Sequence, residues 1–281
     1  MIRQFSLQNE YAQEYPLSLP GNAFLDNPTG LGYSLDVSYR LIGNSWVRNY
    51  VRDKQTAIKG EVVFLPGTPY NTEADFLRFV RASKRLAIVY TTTAGTWMKD
   101  VDLTAYEKGE ISEGGVLKCK VTLTPRSLWY SRNRQSYSIN VNAPADAMTF
   151  DFSWPATFQA IVDGTIELTN DGSVPAPITV TWHGPIVNPV LQLIVDGEET
   201  ARCKITGEAT SGQTINYSSR DGDLYIYKDA AGVQTNLINS LDINNNNFFK
   251  IPVGNSELRF SADAQITEPI AISVYKLYRA T

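Results

Sequence analysis

The most regular feature of the chain is strict alternation. From Tyr33 to Leu41, apolar and polar residues trade places without a break: Tyr33, Leu35, Val37, Tyr39 and Leu41 take one side, and Ser34, Asp36, Ser38 and Arg40 the other. A period of two is that of a β-strand with one face covered, so these residues predict a half-buried strand. The same pattern returns at Leu117, Cys119, Val121 and Leu123 against Lys118, Lys120, Thr122 and Thr124, and again at Leu86, Ile88 and Tyr90. Each predicts one face of an antiparallel sheet.

One stretch changes period. Gly67-Thr68-Pro69 interrupts the preceding strand, and a helix is expected from Asn71 to about Ser83, capped by Asn71 or Thr72. Glu73 and Asp75 fall in its first turn and Arg81 and Lys84 near its end, as the helix dipole favours. Phe76, Leu77, Val80 and Phe79 form its apolar stripe, which should pack onto a sheet.

The sequence turns polar and basic over residues 126–138 and then carries Asn142-Ala-Pro-Ala-Asp146 before a new apolar run, Met148 to Trp154. The expected domain boundary therefore divides residues 1–138 from residues 139–281. Beyond it, Asn170-Asp171-Gly172, Asp196-Gly197, Ser211-Gly212, Asp221-Gly222, Ala231-Gly232 and Gly254-Asn255 punctuate short strands, the rhythm of a β-sandwich. No internal repeat is present.

Composition agrees with an all-β chain carrying one accessory helix and divided into two β-sandwich domains. Of 281 residues, 43% are hydrophobic, with 15 Tyr, 11 Phe and 5 Trp, enough to bury two cores rich in strand formers. The net charge of -4 gives no electrostatic reason to hold a polyanion. Arg126, Arg132 and Arg134 around Trp129 and Tyr130 do interleave charge with aromatics, as single-strand binders do, but a linker or protein contact suits an acidic chain better. Nucleic acid is not an expected partner. A membrane is not expected either, because no apolar run approaches the roughly 20 residues that span a bilayer and the N-terminal residues lack a signal-peptide core. Cys119 and Cys203 sit in separate alternating segments without metal-type spacing and are read as buried free thiols.

Little in the chain points to chemistry. His183 is the single histidine, which removes most Ser-His-Asp, Cys-His and multi-histidine metal arrangements, and alternation sets it on the face opposite Trp182. Asp221-Gly222-Asp223 lacks the later acidic ligands of a calcium loop and reads as a turn. No catalytic residue, metal ligand or cofactor is expected. The remaining site-like feature is aromatic: Trp154, Trp182, Tyr225 and Tyr227 are candidates for a platform on which a sugar ring could stack, Trp154 and Trp182 foremost, although core and interface roles claim such residues more often.

Three stretches in order along the chain resemble the distal tail protein family of phages that infect mainly Gram-positive bacteria. The first is Phe24-Leu-Asp-Asn-Pro-Thr-Gly-Leu-Gly-Tyr33 with the alternating strand, Ile58-Lys-Gly-Glu-Val-Val-Phe64, the helix, and Leu86-Ala-Ile-Val-Tyr90. The second is Leu123-Thr-Pro-Arg-Ser-Leu-Trp-Tyr130. The third is Thr169-Asn-Asp-Gly-Ser-Val-Pro-Ala-Pro-Ile178 leading into Gly184-Pro-Ile-Val-Asn-Pro189, and then Phe248-Phe-Lys-Ile-Pro-Val-Gly-Asn-Ser-Glu-Leu-Arg-Phe260, where Gly254-Asn255 is read as a hairpin turn.

The resemblance implies a ring-forming N-terminal sandwich that carries the helix and a galectin-like C-terminal sandwich. It implies a homo-hexameric, non-enzymatic hub at the tail tip of the virion, assembled in the host bacterial cytoplasm. Its implied partners are the major tail-tube protein, a tail-associated lysin-type protein, and receptor-binding or other baseplate proteins. Within that expectation, Trp46 and Tyr50 of the strand Trp46-Val-Arg-Asn-Tyr-Val51, and Phe76 and Phe79 of the helix, are the candidate ring contacts. The competing expectation is a carbohydrate-binding module for host cell-wall saccharides, served by Trp154 and Trp182.

Overall fold

The structure is a computed structural model and describes residues 3–131, 135–139, 162–263 and 268–280. It divides into two units, Met1–Asn133 with Leu277–Thr281, and Arg134–Lys276. The first contains β1 (Gln4–Asn9), β2 (Glu14–Pro16), β3 (Ala23–Thr29), β4 (Ser34–Ile42), β5 (Ser45–Lys54), β6 (Ile58–Phe64), α1 (Pro69–Ala82), β7 (Leu86–Thr92), β8 (Gly95–Glu107), β9 (Leu117–Pro125) and β10 (Trp129–Ser131). The second contains β11 (Gln135–Ile139), β12 (Val162–Asn170), β13 (Ile178–His183), β14 (Ile186–Val187), β15 (Val190–Val195), β16 (Glu198–Lys204), β17 (Glu208–Ala209), β18 (Gln213–Arg220), β19 (Asp223–Ala230), β20 (Val233–Asn236), β21 (Gly254–Ala262) and β22 (Ile270–Val274). The last strand, β23 (Leu277–Tyr278), belongs to the first unit. Among the described residues the fold is all-β with one α-helix.

In the first unit the main sheet runs β2-β1-β7-β8-β9-β6-β3, with β10 paired to β8 and β23 paired to β10. Its far edges meet. The Leu17 N–H donates to the Phe5 carbonyl at 2.9 Å on β1, and the Leu17 carbonyl accepts from the Leu25 N–H at 3.1 Å on β3. The sheet thus wraps around its core, which removes the open edges that two separate layers would leave. Inside lie the alternating residues predicted from β7 and β9, among them Ile88, Leu117, Cys119 and Leu123, all close to fully buried.

The helix begins at Pro69, two residues earlier than the sequence reading, with Thr68 at the N-cap and no side-chain cap bond. Proline suits this position because its missing N–H is one that the first turn cannot pair anyway. Glu73 serves burial instead of the helix dipole: it is 4% exposed, accepts from the Tyr106 hydroxyl at 2.9 Å and pairs with Lys108 at 2.5 Å. Those two partners compensate a carboxylate that would be costly to bury alone. Phe76 fills the wrapped sheet, with its ring 5.4 Å from Tyr15, 5.9 Å from Phe64 and 6.1 Å from Tyr106.

The second unit is a sandwich. A six-stranded sheet, β11-β22-β13-β18-β19-β20, and a four-stranded sheet, β12-β21-β15-β16, share one core, with Val180, Trp182, Ile215 and Tyr217 from the first meeting Leu191, Leu193, Leu258 and Phe260 from the second. The predicted turns at Asp196-Gly197 and Ala231-Gly232 are two-residue hairpin loops with positive φ at both positions, the geometry that matches strand twist. Gly254-Asn255 is different: Gly254 opens β21 and pairs with Asn170, so no hairpin turn is made there. The reason lies just upstream, where Ile251 bridges Ala176 and does not fold back on β21.

The division also differs from the sequence boundary at 138/139. Gln135–Ile139 pairs with β22 inside the second unit, while β23 returns to the first and pairs with β10 through Trp129 and Tyr278. A composition change along the chain marks where one segment ends but carries no trace of a strand that returns later.

Candidate functional site: an unpartnered β-ribbon

The alternating segment that opened the sequence reading is a strand, but it is not half-buried. Among the described residues β4 pairs only with β5, and the two form a separate ribbon whose residues are all intermediate or exposed. The register sets Leu35 opposite Asp53, Val37 opposite Val51, Tyr39 opposite Arg48 and Leu41 opposite Trp46, so these share one face. The other face carries Asp36 with Arg52, Ser38 with Tyr50, and Arg40 with Val47. One side is therefore largely apolar and the other mixed, with Asp36 and Arg52 paired at 2.7 Å and the Arg52 guanidinium 5.4 Å from the Tyr50 ring.

The ribbon contains a bulge between Ser38 and Tyr39, where Asn49 has no opposite residue. Such an extra residue reverses the faces beyond it. Simple alternation along β5 would put Trp46 and Tyr50 on the same side, and the bulge puts them on opposite sides. Trp46 is 69% exposed at the apolar tip, and Tyr50 is 46% exposed on the mixed face.

The helical candidates fare differently. Phe76 is 1% exposed and belongs to the core, while Phe79 is only half-buried and packs 5.8 Å from Tyr15. Periodicity picked out the buried stripe of the helix, which is the stripe least able to meet a partner. Trp182 likewise is 1% exposed, with its ring 6.3 Å from Tyr217 in the sandwich core, so it offers no saccharide platform. Trp154 lies outside the described residues. Tyr225 and Tyr227 are half-buried neighbours 5.2 Å apart, on the face of β19 opposite buried Ile226.

The basic and aromatic run is also put to structural use. Trp129 is fully buried with Lys99 over its ring, the Tyr130 hydroxyl donates to Asp100 at 2.8 Å, and Arg126 faces Asp102 at 3.4 Å. Burial of Lys99 lowers its pKa. Arg132 and Arg134 lie outside the described residues. Among the described residues no cluster of three or more His, Cys, Asp or Glu could hold a metal ion, and His183 is exposed. An open groove of about 440 Å³ beside Asn27 and Thr29 is walled by Lys59 and Lys120 with Glu61 and Glu107, charges of both signs that sum to zero.

Residues 4–126 match the family model of the distal tail protein, N-terminal domain. No curated protein matches the chain in sequence. Among solved structures the chain is similar to one from the phage P2 baseplate in its activated conformation with calcium, at TM-score 0.68 and 14% identity over 100% of both chains. It is also similar to the SPP1 Dit protein, described as a paradigm of the hub adsorption apparatus in phages infecting Gram-positive bacteria, at TM-score 0.64 and 12% identity over 97% and 98% of the two chains. At these identities the likeness is one of fold.

Proposed function

We propose, from the match of residues 4–126 to the model of the distal tail protein N-terminal domain, that this chain belongs to that family and that copies of it close into a hexameric ring at the tip of a phage tail. The chain is a structural component of a phage tail, and its role in this reading is that of a hub. The ring joins the tail-tube protein to a tail-associated protein, and the second unit mounts receptor-binding or other baseplate proteins. It does so without catalysis. Assembly takes place in the host cytoplasm before the particle is released.

The observation that carries the reading is the ribbon of β4 and β5. An isolated two-stranded hairpin is marginal in water, and one that also exposes Leu35, Tyr39, Leu41, Trp46 and Val51 needs a surface to cover it. A ring supplies that surface, because each heterologous contact repeats around the axis until the last copy meets the first. Trp46 is the central anchor, as buried aromatics are in other interfaces, and Tyr50 reaches the same neighbour or the next from the opposite face. The experiment is mass photometry of the purified protein together with projection images. Six-fold rings with a central channel are the expected result, and a strict monomer at every concentration refutes it.

The saccharide reading keeps a narrower footing in Tyr225 and Tyr227, which lie on the outward face of the second unit's larger sheet. A glycan array probed with wild type and Tyr227→Ala tests it. Binding lost in the variant would favour a direct contact with the host surface.

A further inference from the structure

Among the described residues, neither strand of the ribbon packs against another element of the first unit to an extent comparable with their pairing to each other. Its direction is therefore set at its foot, where four groups act together. The Leu31 carbonyl, at the approach to β4, accepts the Trp129 indole N–H at 3.0 Å. Gln55, just past β5, donates to the Pro125 carbonyl at 2.7 Å, and the Ser34 and Thr56 hydroxyls meet at 2.7 Å across the two strand ends. The fourth group arrives from the far end of the numbering. Arg279 donates through Nε to Asp53 Oδ1 at 2.7 Å and through Nη2 to Oδ2 at 3.1 Å.

Arg279 is delivered by β23. Tyr278 lies opposite Trp129 in the β10–β23 pair and packs against the core of the first unit. Trp129 thus holds one side of the ribbon's foot through its indole and anchors, through its backbone, the strand that holds the other side.

We propose that Leu277–Arg279 is a strap that fixes the direction of the ribbon, and that Arg279 is the positioning residue that aims Trp46 at the neighbouring copy. The proposal rests on the ring reading only for its consequence in assembly. At about 3.3 Å per residue, β5 from Lys54 to Ser45 extends roughly 30 Å, so a tilt of ~10° at the foot moves the tip by about 5 Å, a full inter-strand spacing. A ring contact displaced by that much loses its register. A bidentate fork restrains such tilting as a single charge contact does not. The pair itself is partly exposed, at 38% and 36%, and exposed ion pairs add little to folding stability, so removing it should leave the fold intact.

The test has two arms. In the first, nitroxide labels at Asn44→Cys on the tip and Lys118→Cys on the body report the distance distribution in dilute, unassembled protein. Arg279→Ala should broaden it, and an unchanged distribution overturns the strap whatever becomes of the ring. In the second, the assembly midpoint is measured by mass photometry. Arg279→Ala should raise it about tenfold, Arg279→Lys should not restore it, and the exchange Asp53→Arg with Arg279→Asp should recover much of it. If Arg279→Ala assembles as wild type does while Trp46→Ala fails, the strap is refuted and the ring contact stands. If wild type itself never assembles, the ring reading falls, and the label distances alone decide the strap.

Discussion

Replacing Trp46 with alanine separates an interface role from a folding role, because the side chain contributes almost nothing to the isolated subunit. It is 69% exposed at the tip of the ribbon. An indole offers roughly 150–250 Å² for burial, so docking would hide on the order of 100–170 Å² of it. At about 25 cal/mol per Å² that is about 3 kcal/mol per contact. One decade in affinity corresponds to about 1.4 kcal/mol, so each contact weakens by about two decades. Mass photometry from the nanomolar range upward, with sedimentation velocity at higher concentrations, should therefore show the Trp46→Ala ring dissociated where wild type is assembled. The melting temperature of the subunit should stay within ~4 °C, since a surface substitution of this kind changes stability by about 0.5 kcal/mol or less. A variant that assembles within about threefold of the wild-type midpoint would refute the idea that this tip is the anchor.

Phe76→Ala should act in the opposite way, costing roughly 3–5 kcal/mol of folding stability through the cavity it leaves, seen as a lower denaturant midpoint for the first unit. Burial pushes the Cys203 thiol from its ordinary 9.0 up to about 12, so the folded thiol stays neutral where the unfolded one ionises. Stability contributed by Cys203 is then present below pH 9 and falls by about 1.4 kcal/mol per unit as pH rises from about 9 to about 12. The slope difference between wild type and Cys203→Ala measures it. The Trp182 indole N–H is buried without a partner among the described residues, so Trp182→Phe should cost less than the roughly 3–5 kcal/mol of Trp182→Ala, and calorimetry of the two variants tests the order.

Period-two alternation was a sound guide to strands, and at β7 and β9 it also told which side faces the core. At β4 it told the strand but not its surroundings, because an apolar face looks the same in sequence whether its own domain or a second molecule covers it. The bulge at Asn49 carries no residue-level signal, since asparagine in a polar-apolar run is unexceptional, and so the separation of Trp46 from Tyr50 was hidden. Glu73 read as a dipole partner because Lys108 and Tyr106, which hold it, lie 35 and 33 positions away. Trp182 and Phe76 show the converse error: large aromatics attract functional readings, and the core takes most of them. The strap was invisible for the same reason as the returning strand, for nothing near Leu277 announces a partner at Trp129.

That return has a consequence for the order in which a ribosome makes the molecule. Every residue of the second unit precedes Leu277 on the messenger, so the first unit waits, with β10 paired to β8 but lacking β23 on its other side and Asp53 lacking its arginine, until the second has been synthesised. A chain arrested anywhere between Arg134 and Lys276 lacks the strap. If the copies do assemble as a ring, nascent or truncated products would be poor recruits to it, and the copies admitted would be those that already carry the second unit.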